Sequence, residues 1–367
     1  MHLSTDDYRD IFLSDRPLMD VRAPIEFDKG AFPGSTNLPL MNDEERHKVG
    51  ICYKQQGQDA AVRLGHRLVS GDIKQARVQA WVDFARTHPD GFLYCFRGGM
   101  RSNITQQWLH EAGIDYPLVT GGYKALRQFL IMELERAARA CHFTQLGGLT
   151  GCGKTELLQG LEQAIDLEGH AHHRGSSFGR HATPQPSQIN FENALAIDLL
   201  KHRAQGHSHL VVEDENRGIG SCHVPMVLHR RFADAPLVWL DEPFESRVER
   251  ILKDYVIDLA AEFTALQGPE AGFAAFAEHL RNSLSRIVKR LGRERYQRLA
   301  DMMDEALRIQ GTRGDTGRHR DWITALLREY YDPMYDYQIQ RHAQRIVFRG
   351  TRSEVIEYLN SHCDTAI

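Results

Sequence analysis

The sequence predicts an α/β protein of two units, the second carrying a helical extension. Three observations lead there. Short apolar runs enter glycine-rich loops at two places, Phe92-Leu93-Tyr94 before Cys95 and Phe143-Thr144-Gln145-Leu146 before Gly148. Helical sequence follows each loop, the order of a strand feeding a turn and then a helix. From about residue 245 to residue 330 the pattern is mostly helical. A chain of 367 residues is long enough for two cores.

In the first unit, residues 18–22 read as a short strand, with turn chemistry at 26–30 and 33–37. A second strand runs over 92–94 into Cys95, and a helix over 102–110 has Ser102 as its expected N-cap. A third strand at Leu118-Val119 leads through Gly121-Gly122-Tyr123 into a helix reaching about Arg139, so the domains are read as 1–138 and 139–367. The second domain restarts with a strand at 143–146, a loop, and a helix from Lys154 to about Ala164. Strands at 210–214 and 237–241 end in acids, and a last one lies at 345–348.

Composition sets broad limits. With 42% hydrophobic and 26% charged residues the chain reads as an ordinary soluble globular protein. The start, Met1-His2-Leu3-Ser4-Thr5-Asp6-Asp7, lacks a basic and apolar leader. No apolar run approaches the ~18 residues of a membrane span, so no membrane partner is expected. The six cysteines form no CxxC pairs, which argues against zinc sites and a disulfide framework and points to a reducing cytoplasm. A net charge of −4 leaves any nucleic-acid binding to local patches.

Two anion-type loops carry the chemistry. The first is Cys95-Phe96-Arg97-Gly98-Gly99-Met100-Arg101-Ser102. A thiolate is favoured at the mouth of a helix beside Arg97 and Arg101, and backbone amides there suit a sulfur or selenium atom carried on Cys95. The plain alternative is a buried structural cysteine. The second loop, Gly148-Leu149-Thr150-Gly151-Cys152-Gly153-Lys154-Thr155, is a full G-x-x-x-x-G-K-T phosphate loop. Gly148, Gly151 and Gly153 let the backbone approach phosphate oxygens, Lys154 supplies a cation, and Thr155 with Asp214 would serve Mg²⁺. A diphosphate ester satisfies this cradle as well as a nucleotide does.

Two further stretches are weaker signals. His172-His173-Arg174-Gly175-Ser176-Ser177-Phe178-Gly179 lines the substrate side in one reading and is a solvated loop in the other. Arg281, Arg286, Lys289, Arg290, Arg293, Arg295 and Arg298 face one acid, Glu294. Arg286, Arg290 and Arg293 recur at i, i+4 and i+7, which on one helix makes a basic stripe able to track RNA phosphates. Tyr330-Tyr331-Asp332-Pro333-Met334-Tyr335-Asp336-Tyr337 offers rings for base stacking or for a core.

Asp20-Val21-Arg22-Ala23-Pro24-Ile25-Glu26-Phe27, Pro33-Gly34-Ser35-Thr36-Asn37-Leu38-Pro39 and Gly121-Gly122-Tyr123 resemble the blocks of the rhodanese family. Five residues separate Cys95 from Arg101, one more than many sulfurtransferases of that family carry, so the loop has room for a tetrahedral donor such as selenophosphate. A rhodanese-like domain followed by a P-loop NTPase-like domain with a helical extension resembles the bacterial tRNA 2-selenouridine synthases. The likeness extends to Tyr53-Lys54-Gln55-Gln56-Gly57, 147–155, 173–179, 212–215 and 330–338.

That resemblance implies replacement of sulfur by selenium in wobble 2-thiouridine of the lysine, glutamate and glutamine tRNAs. It implies geranyl diphosphate and selenophosphate as substrates, an S-geranyl intermediate, no tightly bound cofactor, and a selenophosphate-producing enzyme as a partner. Alkylation turns a thiocarbonyl sulfur into a thiol that can depart. On this reading Lys154 stabilises departing pyrophosphate, and Cys95 holds selenium as a selenosulfide between Arg97 and Arg101. The competing readings are a rhodanese-type sulfurtransferase with a regulatory ATPase domain, a small-molecule kinase with a phosphatase-like domain, and a module that only binds tRNA.

Overall fold

The computed structural model describes residues 3–363, with the side chains of Asp336, Gln338, Gln340, Arg341, His342 and Cys363 outside the description. The chain divides into two compact units, residues 1–137 with 187–204, and residues 138–186 with 205–367.

The first unit is built on a five-stranded sheet in the order Ser4–Thr5, Leu118–Val119, Phe92–Tyr94, Leu18–Asp20, Ser35–Asn37, with every pairing parallel. Parallel strands need crossover connections, and the helices Pro24–Lys29, Asp43–Gln56, Gln58–Leu68, Gly71–Thr87 and Met100–Glu111 supply them. Met19, Val21, Leu93, Trp81 and Leu109 form the centre of its core. The strand and helix that flank Cys95 lie close to their expected places. Ser102, however, is not the N-cap. The helix begins at Met100 behind Gly99, and Ser102 is buried with its hydroxyl unpartnered. The sharp turn at Gly98-Gly99 starts the helix before serine is reached.

The helix Gln188–Ala204 belongs to this first unit, although the sequence reading placed all of 139–367 in the second domain. Polar contacts hold it there. Asn190 Oδ1 accepts from the amide of Ala31 at 2.7 Å, Asn193 Nδ2 donates to the Ala31 carbonyl at 2.7 Å, and Lys201 pairs with Asp15 at 2.6 Å. Arg127 donates to Asn193 Oδ1 at 2.8 Å.

The second unit has its own parallel sheet, ordered Ile346–Gly350, Leu237–Leu240, His142–Gly148, His209–Glu213, Ala164–Ile165. The strand that feeds the phosphate loop is central and buried on both faces, as its apolar run requires. The helix after the loop spans only Lys154–Leu158, shorter than the sequence suggested, because the chain turns at Gly160 and re-enters the sheet at Ala164. The helical extension packs around Trp322, Phe276, Leu280 and Leu299. Two of its turns are π-helical, Lys253–Ile257 and Leu327–Tyr331. Among the described residues no helix is long and apolar enough to cross a membrane.

Candidate functional site

Cys95 lies buried at the C-terminal end of Phe92–Tyr94, where ligands of parallel sheets usually bind. Its loop is fixed from behind by the turn before Gly122–Ala140. The amide of Tyr123 donates to the Cys95 carbonyl at 2.9 Å and that of Lys124 to the Phe96 carbonyl at 3.0 Å. A Cβ on Gly122 would stand 2.2 Å from the Cys95 oxygen and 2.5 Å from the Gly98 nitrogen, and Gly122 has φ +57°. Only glycine fits this approach, which explains why a glycine pair follows the third strand.

The charges beside Cys95 differ from the simplest expectation. Arg97 is exposed, whereas Arg101 is held by Glu26 through bonds of 2.6 and 3.2 Å, and Arg46 approaches the same carboxylate at 3.2 Å. Burial alone would push the Glu26 carboxyl up, but the Arg101 and Arg46 guanidinium groups hold it below its ordinary range. Asp20 and Arg22 form a buried pair at 2.6 Å, with Arg22 also donating to the Gly30 carbonyl and lying 3.9 Å over the Tyr123 ring. These two residues therefore brace the loop's supports.

The phosphate loop opens into a cavity of about 860 Å³. Gly151 (φ +80°) and Gly153 (φ +87°) need left-handed backbone, and Cβ atoms there would meet Ile251 at 2.8 Å and Arg250 at 2.9 Å. Two loop carbonyls are taken by arginines of Phe244–Leu252: Arg247 donates to Thr150 at 2.9 Å and Arg250 to Gly151 at 2.8 Å. Lys154, Thr155 and Asp214 all line the cavity, as the sequence suggested. Burial opposes the charge on Lys154, but Cys152, Tyr335, Glu215 and Glu168 outweigh it and hold the ammonium well above its ordinary pKa.

Glu168 escaped the sequence reading, since no spacing tied it to the loop, whereas Glu215 falls in the acid-rich 212–215 stretch that the sequence singled out. Both line the cavity, and Thr155 donates to Glu168 Oε2 at 3.4 Å. Burial and the Glu215 carboxylate push Glu168 up to about 8, and burial raises Glu215 as well. Glu213, the last residue of its strand, is buried and accepts from the Leu167 amide at 2.9 Å, leaving Oε1 without a partner. Thr155, Asp214, Glu168 and Glu215 all bring oxygen atoms to the cavity wall, but among the described residues no three His, Cys, Asp or Glu side chains are grouped so as to hold a metal ion.

The stretch from His172 to Ser177 lines the same cavity, so its substrate-side reading agrees with its placement. Both π-helical turns also face it, through Lys253, Asp254 and Tyr255 from one and Tyr330 and Tyr331 from the other. Such turns often re-aim side chains at sites. Ser177 and Tyr331 share a hydrogen bond of 2.9 Å, and Tyr255 donates to the Arg174 carbonyl at 3.1 Å. Tyr331 is raised to about 12, mainly by burial.

The basic stripe is not one helix face. Arg286 caps Pro269–Ser285, Arg290 lies in Val288–Leu291, and Arg293 opens Arg293–Arg313 beyond Gly292 at φ +82°. The glycine breaks the periodicity on which the stripe was read. Arg286 donates to the Ser177 carbonyl at 3.0 Å and Arg290 to the Tyr330 hydroxyl at 3.4 Å, and Arg290 reaches the phosphate cavity.

Comparison with known proteins agrees with these features. Residues 141–366 match the family described as the tRNA 2-selenouridine synthase AAA domain, which covers the phosphate-loop unit. Proteins named tRNA 2-selenouridine synthase from Azotobacter vinelandii, Pseudomonas fluorescens and Bordetella petrii are 62%, 61% and 59% identical to this chain. Each alignment covers 98% of this chain, with 97%, 98% and 96% of the respective relative. An α/β chain with an AAA-like phosphate-loop unit, aligned end to end with these selenium-transferring enzymes, belongs to the tRNA 2-selenouridine synthase family.

Proposed function

We propose that the protein converts wobble 2-thiouridine of tRNA into 2-selenouridine in two steps, one at each loop. The first unit acts as a rhodanese-like selenium-transfer domain and the second as a prenyl-diphosphate domain. The observation that carries this reading is the pairing, in one chain, of a cysteine loop whose carbonyls are pinned by the Tyr123 and Lys124 amides with a phosphate cavity that keeps Lys154 charged.

In the first step the cavity receives geranyl diphosphate. Amides around Gly151 and Gly153 face the diphosphate, while Lys154, with Arg250 nearby, takes up the charge that grows as pyrophosphate leaves. The thiocarbonyl sulfur of the base attacks C1 of the geranyl group, forming a C–S bond as the C–O bond breaks.

In the second step the Cys95 thiolate attacks the phosphorus of selenophosphate, forming an S–P bond as the P–Se bond breaks and freeing selenide beside the base. The C2–Se bond forms, the C2–S bond breaks, and geranylthiol leaves with a proton. Water then cleaves the S–P bond, releasing phosphate and restoring Cys95. The base must leave its stack for either step. The lysine, glutamate and glutamine tRNAs are the proposed acceptors, a selenophosphate-producing enzyme the proposed partner, and the cytoplasm the proposed compartment. Arg293, with Arg286 and Arg290, contributes to tRNA phosphate binding.

The test is mass spectrometry of nucleosides from 2-thiouridine tRNA given geranyl diphosphate and selenophosphate, separately and together with a thiol. The S-geranyl nucleoside is expected with the diphosphate alone, and 2-selenouridine when both are present. Transfer of sulfur to cyanide with the tRNA unchanged would establish the sulfurtransferase reading instead.

A further inference from the structure

The first unit holds a second cavity, of about 430 Å³, whose lining is almost entirely apolar. Its walls come from Asp43–Gln56, Gln58–Leu68 and Met100–Glu111, the last being the helix that the Cys95 loop feeds. Tyr53 and Val62 stand on one side, and Met100, Ile104 and Trp108 on the other. The volume falls in the small-ligand range of about 300–1,000 Å³.

Three features argue against a packing defect. Protein interiors close such space unless something fills it. The rim carries large apolar side chains exposed to water, Tyr53 at 57% and Met100 at 43%, which an occupant would cover. Trp108 is braced on several sides, with Lys74 Nζ 4.2 Å over its ring and Trp81 stacked at 6.2 Å, so the wall is preformed. Arg101 lines the same cavity with its charge already matched by Glu26, so no free cation awaits an anion there.

We infer that this cavity binds the geranyl chain of the S-geranyl-2-thiouridine intermediate while selenium replaces sulfur beside Cys95. The inference rests on the two-step reading above and adds where the intermediate is recognised. The cavity shares a helix with the cysteine loop, and an apolar chain attached to the departing sulfur is the occupant that such walls suit. The step itself is unchanged: C2–Se forms, C2–S breaks, and geranylthiol leaves with the proton. A base that has not been alkylated has nothing to anchor, so the cavity makes the first product the preferred substrate of the second step. The 53–57 stretch, Tyr53-Lys54-Gln55-Gln56-Gly57, gains a role, since Tyr53 forms the rim and Gly57 (φ +83°) sets the turn between two walls.

The experiment uses the full chain, selenophosphate, a thiol, and tRNA bearing preformed S-geranyl- or S-methyl-2-thiouridine. Both release alkyl thiols, so a difference in single-turnover efficiency reports the cavity. Each buried methylene is worth about fourfold, and a preference for S-geranyl of at least about 100-fold is expected. Val62→Trp, which fills the cavity, should cost about 30-fold or more on S-geranyl tRNA and leave S-methyl turnover unchanged. That unchanged turnover also shows the variant folded. Tyr53→Ala, at the exposed rim, should lower the preference several-fold by the same readout. Equal efficiency on both substrates in the wild type, or equal loss on both in both variants, would overturn the inference. Equilibrium binding of the free S-geranyl nucleoside separates the two claims. Binding that Val62→Trp weakens, without any 2-selenouridine formed, would keep the cavity and remove the reaction; turnover with no chain preference would do the reverse.

Discussion

The two loops use glycine alike and charge differently. At the cysteine loop the two inward arginines are matched, Arg22 by Asp20 and Arg101 by Glu26, while Arg97 lies exposed. The adjoining cavity is apolar. At the phosphate loop the cavity is polar, Lys154 is kept charged, and Glu168 and Glu215 are both pushed upward. The difference is one of charge: the first loop sits beside an apolar cavity with its inward arginines paired, while the second gathers a charged lysine and crowded carboxyl groups in one polar cavity.

The contrast can be broken first at the buried pair. Arg22→Met strands the Asp20 carboxylate and the Gly30 carbonyl, and should cost about 3–5 kcal/mol of stability, read as a lower urea midpoint. A change within about 0.5 kcal/mol would mean that the pair does not brace the first unit.

Glu168 gives the second test. Its folded pKa of about 8 lies above the ordinary 4.5, so its contribution to stability is full below pH 4.5 and is lost as pH rises through about 8. Glu168→Gln should therefore gain on the wild type across that window, by on the order of a few kcal/mol, with the difference constant above it. Thermal melts from pH 5 to pH 9 measure this. A constant offset would show Glu168 to be ionised throughout.

At the turn behind the cysteine loop, Gly122→Ala forces a Cβ against the Cys95 carbonyl at positive φ, at a cost of about 1–3 kcal/mol. Selenium transfer should slow while geranylation is kept, since the strain falls on one loop only. The smallest effect is expected at the basic segment. Alanine at Arg293 should reduce the salt slope of tRNA binding by about 1, and alanine at Arg286 or Arg290 by less, because those two already bond within the chain. Equal reductions in filter binding at several salt concentrations would restore a continuous stripe.

What was legible in the sequence follows the same contrast. Gly151, Gly153 and Gly122 could be read because positive φ or close approach excludes other residues. Lys154 and Thr155 came with their motif. Glu168 could not be read, since it reaches Thr155 through the fold rather than through any period. Nor could the placement of Gln188–Ala204 with the first unit, which depends on Asn190 and Asn193 meeting Ala31 more than a hundred positions away. The broken stripe did carry a signal, Gly292, which should outweigh an i, i+4, i+7 match. The π-helical turns that aim Tyr255 and Tyr331 at the cavity leave no mark in propensity, because they differ from α-helix by one hydrogen-bond register.

The central claim, one step at each loop, is tested most directly by giving Lys154→Ala and Cys95→Ser the same two tRNAs. The account predicts that Lys154→Ala loses about 100- to 1,000-fold in geranylating 2-thiouridine tRNA, yet converts preformed S-geranyl tRNA to 2-selenouridine at the wild-type rate. Cys95→Ser should do the opposite, geranylating normally and stopping there. If Lys154→Ala fails on preformed S-geranyl tRNA, or if Cys95→Ser still makes 2-selenouridine, the division of labour between the loops is wrong.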